Sequence, residues 1–242
     1  MNPEPLVIEF SLFGLDLLEP NVLLTDVLLG LFCLVFSVRI FRRAAIHPFF
    51  RSWAWFMSLF GLAAIFGGLG HAFANYWGVP GKIPAWILST VSVYYIEYAM
   101  ISALQNKKWY KLLSTISLIK MIVILLLIIL IAILAPRDNK IDLCILVVII
   151  NSLAGVSLSA GALGWSYYRM GFSRHFKRIM GGVLIIIPSS AVFLLDFNLF
   201  QWFDKNDLSH LLLLLGITAF YQAVLRLHKE DPTVLQLALD RK

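Results

Sequence analysis

KLLSTISLIKMIVILLLIILIAILA, residues 111–135, carries a single charge, Lys120, after its opening lysine. At 1.5 Å per helical residue the run extends about 37 Å, more than the roughly 30 Å hydrocarbon core of a bilayer. Its residues do not alternate between polar and apolar, so it is not a strand of a membrane barrel. In lipid only helices and closed barrels satisfy every backbone group, and this stretch therefore reads as a transmembrane helix.

Six further runs of similar character occur at 21–41, 52–74, 83–105, 142–168, 178–197 and 207–228. The 242-residue chain is 60% hydrophobic and 14% charged, a composition that takes the bilayer as its solvent. The expected fold is all-α: an integral membrane bundle of seven transmembrane helices over 21–228. An interfacial segment, 1–20, precedes it, and a short cytoplasmic tail, 229–242, follows. The first twenty residues carry Glu4, Glu9, Asp16 and Glu19 and no basic residue, so they lack the positive start of a cleaved signal peptide. Cys33 and Cys144 fall in apolar runs and report no redox compartment. The expected localisation is a membrane, the cytoplasmic one if the source is bacterial.

Lysine and arginine set the expected orientation. One side of the membrane receives Arg39, Arg42, Arg43 and Arg51, then Lys107, Lys108 and Lys111, then Arg169, Arg174, Lys177 and Arg178, then Arg226 and Lys229. The other receives the acidic N-terminus, Lys82, Arg137 and Lys140 beside Asp138 and Asp142, and Lys205 between Asp204 and Asp207. The N-terminus is expected outside and the C-terminus inside. This pattern accounts for the net charge of +6 without a nucleic acid, so the expected partner is membrane lipid. No protein partner is indicated.

Inside the spans, polar residues gather at two depths. His71 lies about four residues from the outer end of its run and His210 about three, so both enter the core by roughly 5–6 Å. Asp26, Asp196, Asn75 and Asn206 reach the same slab. Each could be structural: Asp26, Asn206 and Asp207 begin helices, where acidic and capping residues are favoured. As a set they read as a site, because ionisable groups in membrane helices face cavities, partners or substrate paths. Imidazoles with carboxylates are also zinc-type ligands. Deeper, Glu97 and Lys120 fall on consecutive helices in the inner half of the bilayer. An ion pair, or Glu97 bonded to Tyr94, Tyr98 or a hydroxyl of the fifth span, would relieve the cost of a lone charge. Pro188 with Ser189 and Ser190 is expected to kink the sixth span. The glycines of the second and fifth spans read as close helix packing.

NDLSHLLLLLGITAFY, from Asn206, resembles the last helix of the superfamily of alkaline ceramidases and progestin and adiponectin receptors. There an HxxxH motif precedes an apolar, glycine-containing helix. GGLGHAFAN, from Gly67, resembles that family's second helix. The resemblance covers about 30 residues, and it implies a seven-helix plan, zinc held by three histidines, and hydrolysis of lipid amides. His71 falls on the histidine of the second helix and His210 on the second histidine of HxxxH. Asn206 stands at the first histidine of that motif, Gly67 at the assisting serine, and the third run has no aspartate near its outer end. The chain also resembles uncharacterised bacterial seven-helix membrane proteins in topology and in its last helix.

Two functions follow as expectations. One is a metal-dependent membrane hydrolase of lipid amides or esters, or a degenerate form of one. His71 and His210 would be metal ligands, Asp26 or Asp196 a third ligand or the base, Asn206 a donor to the developing oxyanion, and zinc the cofactor. The other is a non-catalytic seven-helix protein binding a lipid or small molecule in the same place, as a sensor, partner subunit or transporter component.

Overall fold

A computed structural model describes residues 7–44, 47–136 and 139–230. Arg137, Asp138, the first six residues and the tail beyond Glu230 lie outside the described residues, as does the side chain of Arg43. Among the described residues the regular elements are helices except at the start. There β1 (Glu9–Leu12) and β2 (Leu15–Leu18) form an antiparallel hairpin, with Glu9 opposite Leu18 and Leu12 opposite Leu15. The reading of 1–20 as an interfacial segment missed this element. Its signal was the short pair of apolar runs around Phe13-Gly14, whose φ values of 53° and 79° suit a tight hairpin turn.

The helices are α1 (Pro20–Ala44), α2 (Pro48–Ala72), α3 (Ala74–Ser102) and α4 (Lys107–Leu134). A long rod follows, made of α5 (Lys140–Val156), a π-helical segment Ser157–Leu163 and α6 (Gly164–Arg169). Then come α7 (Phe176–Leu194) and α8 (Lys205–Glu230). Six helical stretches are long and apolar enough to cross a membrane: α1, α2, α4, the α5–α6 rod, α7 and α8. The exception is α3, which contains Lys82, Pro80, Pro84 and the buried Glu97 and breaks at Gly78 (φ 51°, ψ −140°).

Local chemistry sets the helix starts. Pro20 and Pro48 occupy first-turn positions, where a missing N–H costs nothing. Asn106 caps α4 by accepting from the N–H groups of Lys108 (3.0 Å) and Trp109 (3.2 Å). Asp204 does the same for α8, accepting from the N–H groups of Asn206 (2.7 Å) and Asp207 (3.2 Å).

Two glycine pairs bring helices into backbone contact. A Cβ on Gly61 of α2 would stand 2.8 Å from the carbonyl oxygen of Gly30 on α1, and one on Gly216 of α8 3.0 Å from that of Gly182 on α7. Membrane helices associate through such small-residue contacts, because lipid supplies no hydrophobic drive between them. The main core lies toward the basic ends of the helices, where Trp53, Met100, Tyr167, Phe176 and Phe220 are fully buried. By contrast α4 turns most of its surface outward, with Leu126, Ile133 and Leu134 well exposed.

Candidate functional site

The helices enclose a cavity of about 300 Å³, lined from α1, α2, α3, α5, the π segment, α7 and α8. Its wall is mostly apolar (Phe56, Ile149 and Ile217 among others), with serine hydroxyls from α3, α5, the π segment, α7 and α8 set along it, and its charged and imidazole groups lie at one end. Asp26, His71, Lys82, Asn206 and His210 gather there. Four of the six residues singled out for the outer slab, Asp26, His71, Asn206 and His210, thus share one cavity wall.

His210 links α8 to α1. Its Nε2 is 3.2 Å from Asp26 Oδ1 and its Nδ1 3.0 Å from Thr25 Oγ1. The Thr25 hydroxyl donates in turn to Asp207 Oδ1 (3.1 Å), and Asn21 Nδ2 donates to Asp207 Oδ2 (2.6 Å). With the threonine proton given to Asp207, Nδ1–H must donate to Thr25, and a hydrogen bond at Nε2 then needs a proton on His210 or on Asp26. Two carboxylates, one neutral imidazole and one hydroxyl are one hydrogen short of completing the relay.

His71 is held differently. Its Nδ1 is 2.5 Å from Glu19 Oε2, and its Nε2 is 3.5 Å from Lys82 Nζ. An ammonium can only donate, so Nε2 accepts and Nδ1–H donates to Glu19. Burial raises the Glu19 pKa, but the hydrogen bond and charge of His71, with Lys82 and Lys205 behind, more than offset that and hold it below the ordinary carboxylate value. Glu19 ends the hairpin and precedes α1. Tyr76 and Asn75 clasp the same hairpin, the tyrosine hydroxyl accepting from Asp16 N–H (2.9 Å) and the Asn75 amide donating to Asp16 O (3.4 Å). Asn75 therefore serves the hairpin, not the cavity.

Space for Asp26 comes from α2. A Cβ on Gly68 would stand 2.9 Å from Asp26 Cβ, and one on Gly67 3.3 Å from Asp26 Oδ2. Asn206 is buried on the cavity wall, with its amide donating to Asp204 Oδ2 (3.1 Å). Asp196 is not brought to the cavity: it is exposed beyond the end of α7, 2.7 Å from Lys205 Nζ. That ammonium holds its carboxyl below the usual range.

Sequence reasoning passed over Glu19, Thr25 and Lys82 as site residues. The available signals were a charge just before a helix-starting proline, a hydroxyl beside Asp26, and the lone base of its loop. Each became meaningful only when another helix came alongside.

Pro188 leaves α7 continuous, and Ser209 of α8 donates to the carbonyl of Ser189 (3.0 Å). Away from the cavity, Glu97 is ion-paired with Lys120 and accepts from the Ser117 hydroxyl, while Tyr98 bonds to Tyr110 (3.0 Å).

A zinc ion would need the imidazole nitrogens that Glu19, Lys82, Asp26 and Thr25 engage. Among the described residues no group of three histidine, cysteine or acidic side chains converges as a ligand set. The Lys82 ammonium on the Nε2 lone pair of His71 also opposes a divalent cation electrostatically. The donor set as folded does not fit the metal.

The class defined by these features is a helical membrane-type bundle with an internal cavity that is polar at one end. Within that class the chain belongs to the family described as a family of unknown function (DUF6962), which matches residues 21–229. No curated protein and no solved structure matches the chain.

Proposed function

We propose that this chain is an integral membrane protein of seven spans, N-terminus outside and C-terminus inside, that binds a lipid or small amphiphile in its cavity. The observation that carries the reading is the division of the cavity wall: a mostly apolar surface, dotted with serine hydroxyls, that ends in Asp26, His71, Lys82, Asn206 and His210. Such a wall complements a molecule with an apolar body and a head that both donates and accepts hydrogen bonds. The count of seven takes α3 as the remaining span, its charges turned to partners inside the bundle. The basic residues at alternate helix ends support the orientation.

The test is recovery of ligand. Protein purified in mild detergent is extracted and its lipids and small molecules compared by mass spectrometry with those from Ala85→Trp, which fills the cavity. An amphiphile retained at about one per chain and absent from the variant is expected; equal recovery from both would sink the reading.

A second reading is hydrolysis of a lipid amide or ester at the same end of the cavity. The observation favouring it is that His71 and His210 face one cavity with Asp26 and Asn206. It requires the present contacts of both imidazoles to open. Stoichiometric zinc in the purified protein, lost in both His71→Ala and His210→Ala, would establish it over the first; metal-free wild type would end it.

A further inference from the structure

A second group of buried polar side chains lies behind the cavity, where α3, α4 and α5 meet. Glu97 of α3 is paired there with Lys120 and Ser117 of α4. Gly155 of α5 makes the room: a Cβ on it would stand 2.7 Å from Glu97 Oε1 and 3.3 Å from Lys120 Nζ. Around this pair each helix contributes one more polar group without a partner among the described residues. These are Thr90 Oγ1, Ser114 Oγ, and both Oδ1 and Nδ2 of Asn151. Thr90 is 1% exposed and Asn151 3%.

Their placement is regular. Thr90 precedes Glu97 by seven residues, Ser114 precedes Ser117 by three and Asn151 precedes Gly155 by four, so each shares a helix face with the cluster. Ser152, the next residue after Asn151, lines the cavity, so α5 turns one polar face to each site. Along the bundle, Ser114 lies toward the Lys107 end of α4, about one helical turn after Tyr110, whose hydroxyl bonds to that of Tyr98. At the opposite end Trp86, Ile128 and Cys144 pack into an apolar plug, with Ile128 about 12 Å beyond Lys120.

Four unpaired polar atoms in one seam between helices are costly, and interior polar groups in folded proteins are satisfied by protein or by ordered water. Buried polar groups that several helices turn to one seam are the kind that ordered water satisfies, whereas apolar voids stay dry. We propose that the α3–α4–α5 seam is a second site: an internal column of ordered water that bridges Thr90, Asn151 and the Glu97–Lys120 pair. It is reached from the Lys107 end of α4 and closed beyond by Trp86, Ile128 and Cys144. The ligand is water, and with it exchangeable protons; the column is independent of whatever fills the cavity.

Thiol accessibility tests it. Ser114→Cys and Asn151→Cys are treated in the folded protein with the small cation 2-aminoethyl methanethiosulfonate, and native Cys144 in the plug is followed in the same samples. A thiol must meet water to ionise and react, so Ser114→Cys is expected to react fastest and Asn151→Cys next, each at least about tenfold faster than Cys144. Asn151→Cys reacting no faster than Cys144 would overturn the proposal. Asn151→Leu decides without labelling and guards against a cysteine variant that fails to fold. Loss of a water-bridged amide lowers the melting temperature, whereas in a dry seam leucine relieves unpaired groups and raises it. A raised melting temperature likewise overturns the proposal.

Discussion

Asp26 Oδ1 lies 3.2 Å from His210 Nε2, joining α1 to α8 across 184 positions of sequence at the polar end of the cavity. Both side chains are largely withdrawn from solvent, at 7% and 17% exposure. Asp26→Ala leaves the imidazole with Thr25 alone and is expected to destabilise the protein by about 1–3 kcal/mol, while Asp26→Asn, which keeps an acceptor, costs less. Thermal unfolding in detergent of the two variants beside wild type checks the order. Equal losses would mean that the carboxylate acts through charge and not through the hydrogen bond.

Acid is expected to release the hairpin. The Glu19 pKa is held below its ordinary value, so its contribution is fully present above the unfolded value of about 4.3 and is lost as pH falls through the lower folded value. Hydrogen exchange of residues 9–18 as a function of pH reports the docking. Protection that persists in acid well below the ordinary carboxylate range, or that Glu19→Gln leaves unchanged at pH 7, would show that the hairpin does not depend on the Glu19–His71 contact.

Gly216→Leu is expected to be among the most disruptive single changes. A Cβ there meets the Gly182 carbonyl at 3.0 Å and the Ile186 side chain closer still, so α7 and α8 must separate. Overpacking of this kind costs about 1–3 kcal/mol or more. Gly171→Ala, at a loop position with open space but φ of 74°, strains only the backbone and is expected to cost about 1 kcal/mol or less. The difference in melting temperature between the two variants measures the packing contribution.

Removing the α8 cap tests how the site is aimed. Asp204 fixes the first turn of α8 and also accepts from the Asn206 amide, so Asp204→Ala is expected to lose about 1 kcal/mol of stability. It should also lower retention of any cavity ligand, because Asn206 and His210 lie on that turn and the next. Unchanged retention in a destabilised protein would separate the cap from the site.

Much of the architecture was legible in the sequence because lipid imposes a severe rule: a span needs about twenty apolar residues and an internally satisfied backbone. The runs at 111–135 and 52–74 show this directly, and both fall on helices. His71, His210, Asp26 and Asn206 were legible as a set from depth alone. What depth cannot give is azimuth. Asp196 is near the others in sequence-derived depth, yet it turns to Lys205 in an exposed loop, whereas Lys82 turns inward to His71. Likewise, local alternation over eight residues was too short to reveal the β1–β2 hairpin within the N-terminal segment.

Hydropathy and 1.5 Å per residue were therefore enough to find the apolar helices, six of them long enough to cross a membrane, and to set where along each helix its polar residues fall. Tertiary structure alone decided the partners. Which way a helix is rotated depends on contacts such as Gly30 with Gly61 and Gly182 with Gly216, formed between segments distant in the chain. Those rotations place Glu19 on His71, Asp26 on His210 and Glu97 on Lys120. They also leave one end of an apolar cavity polar, and that division of its wall is the feature the proposed function uses.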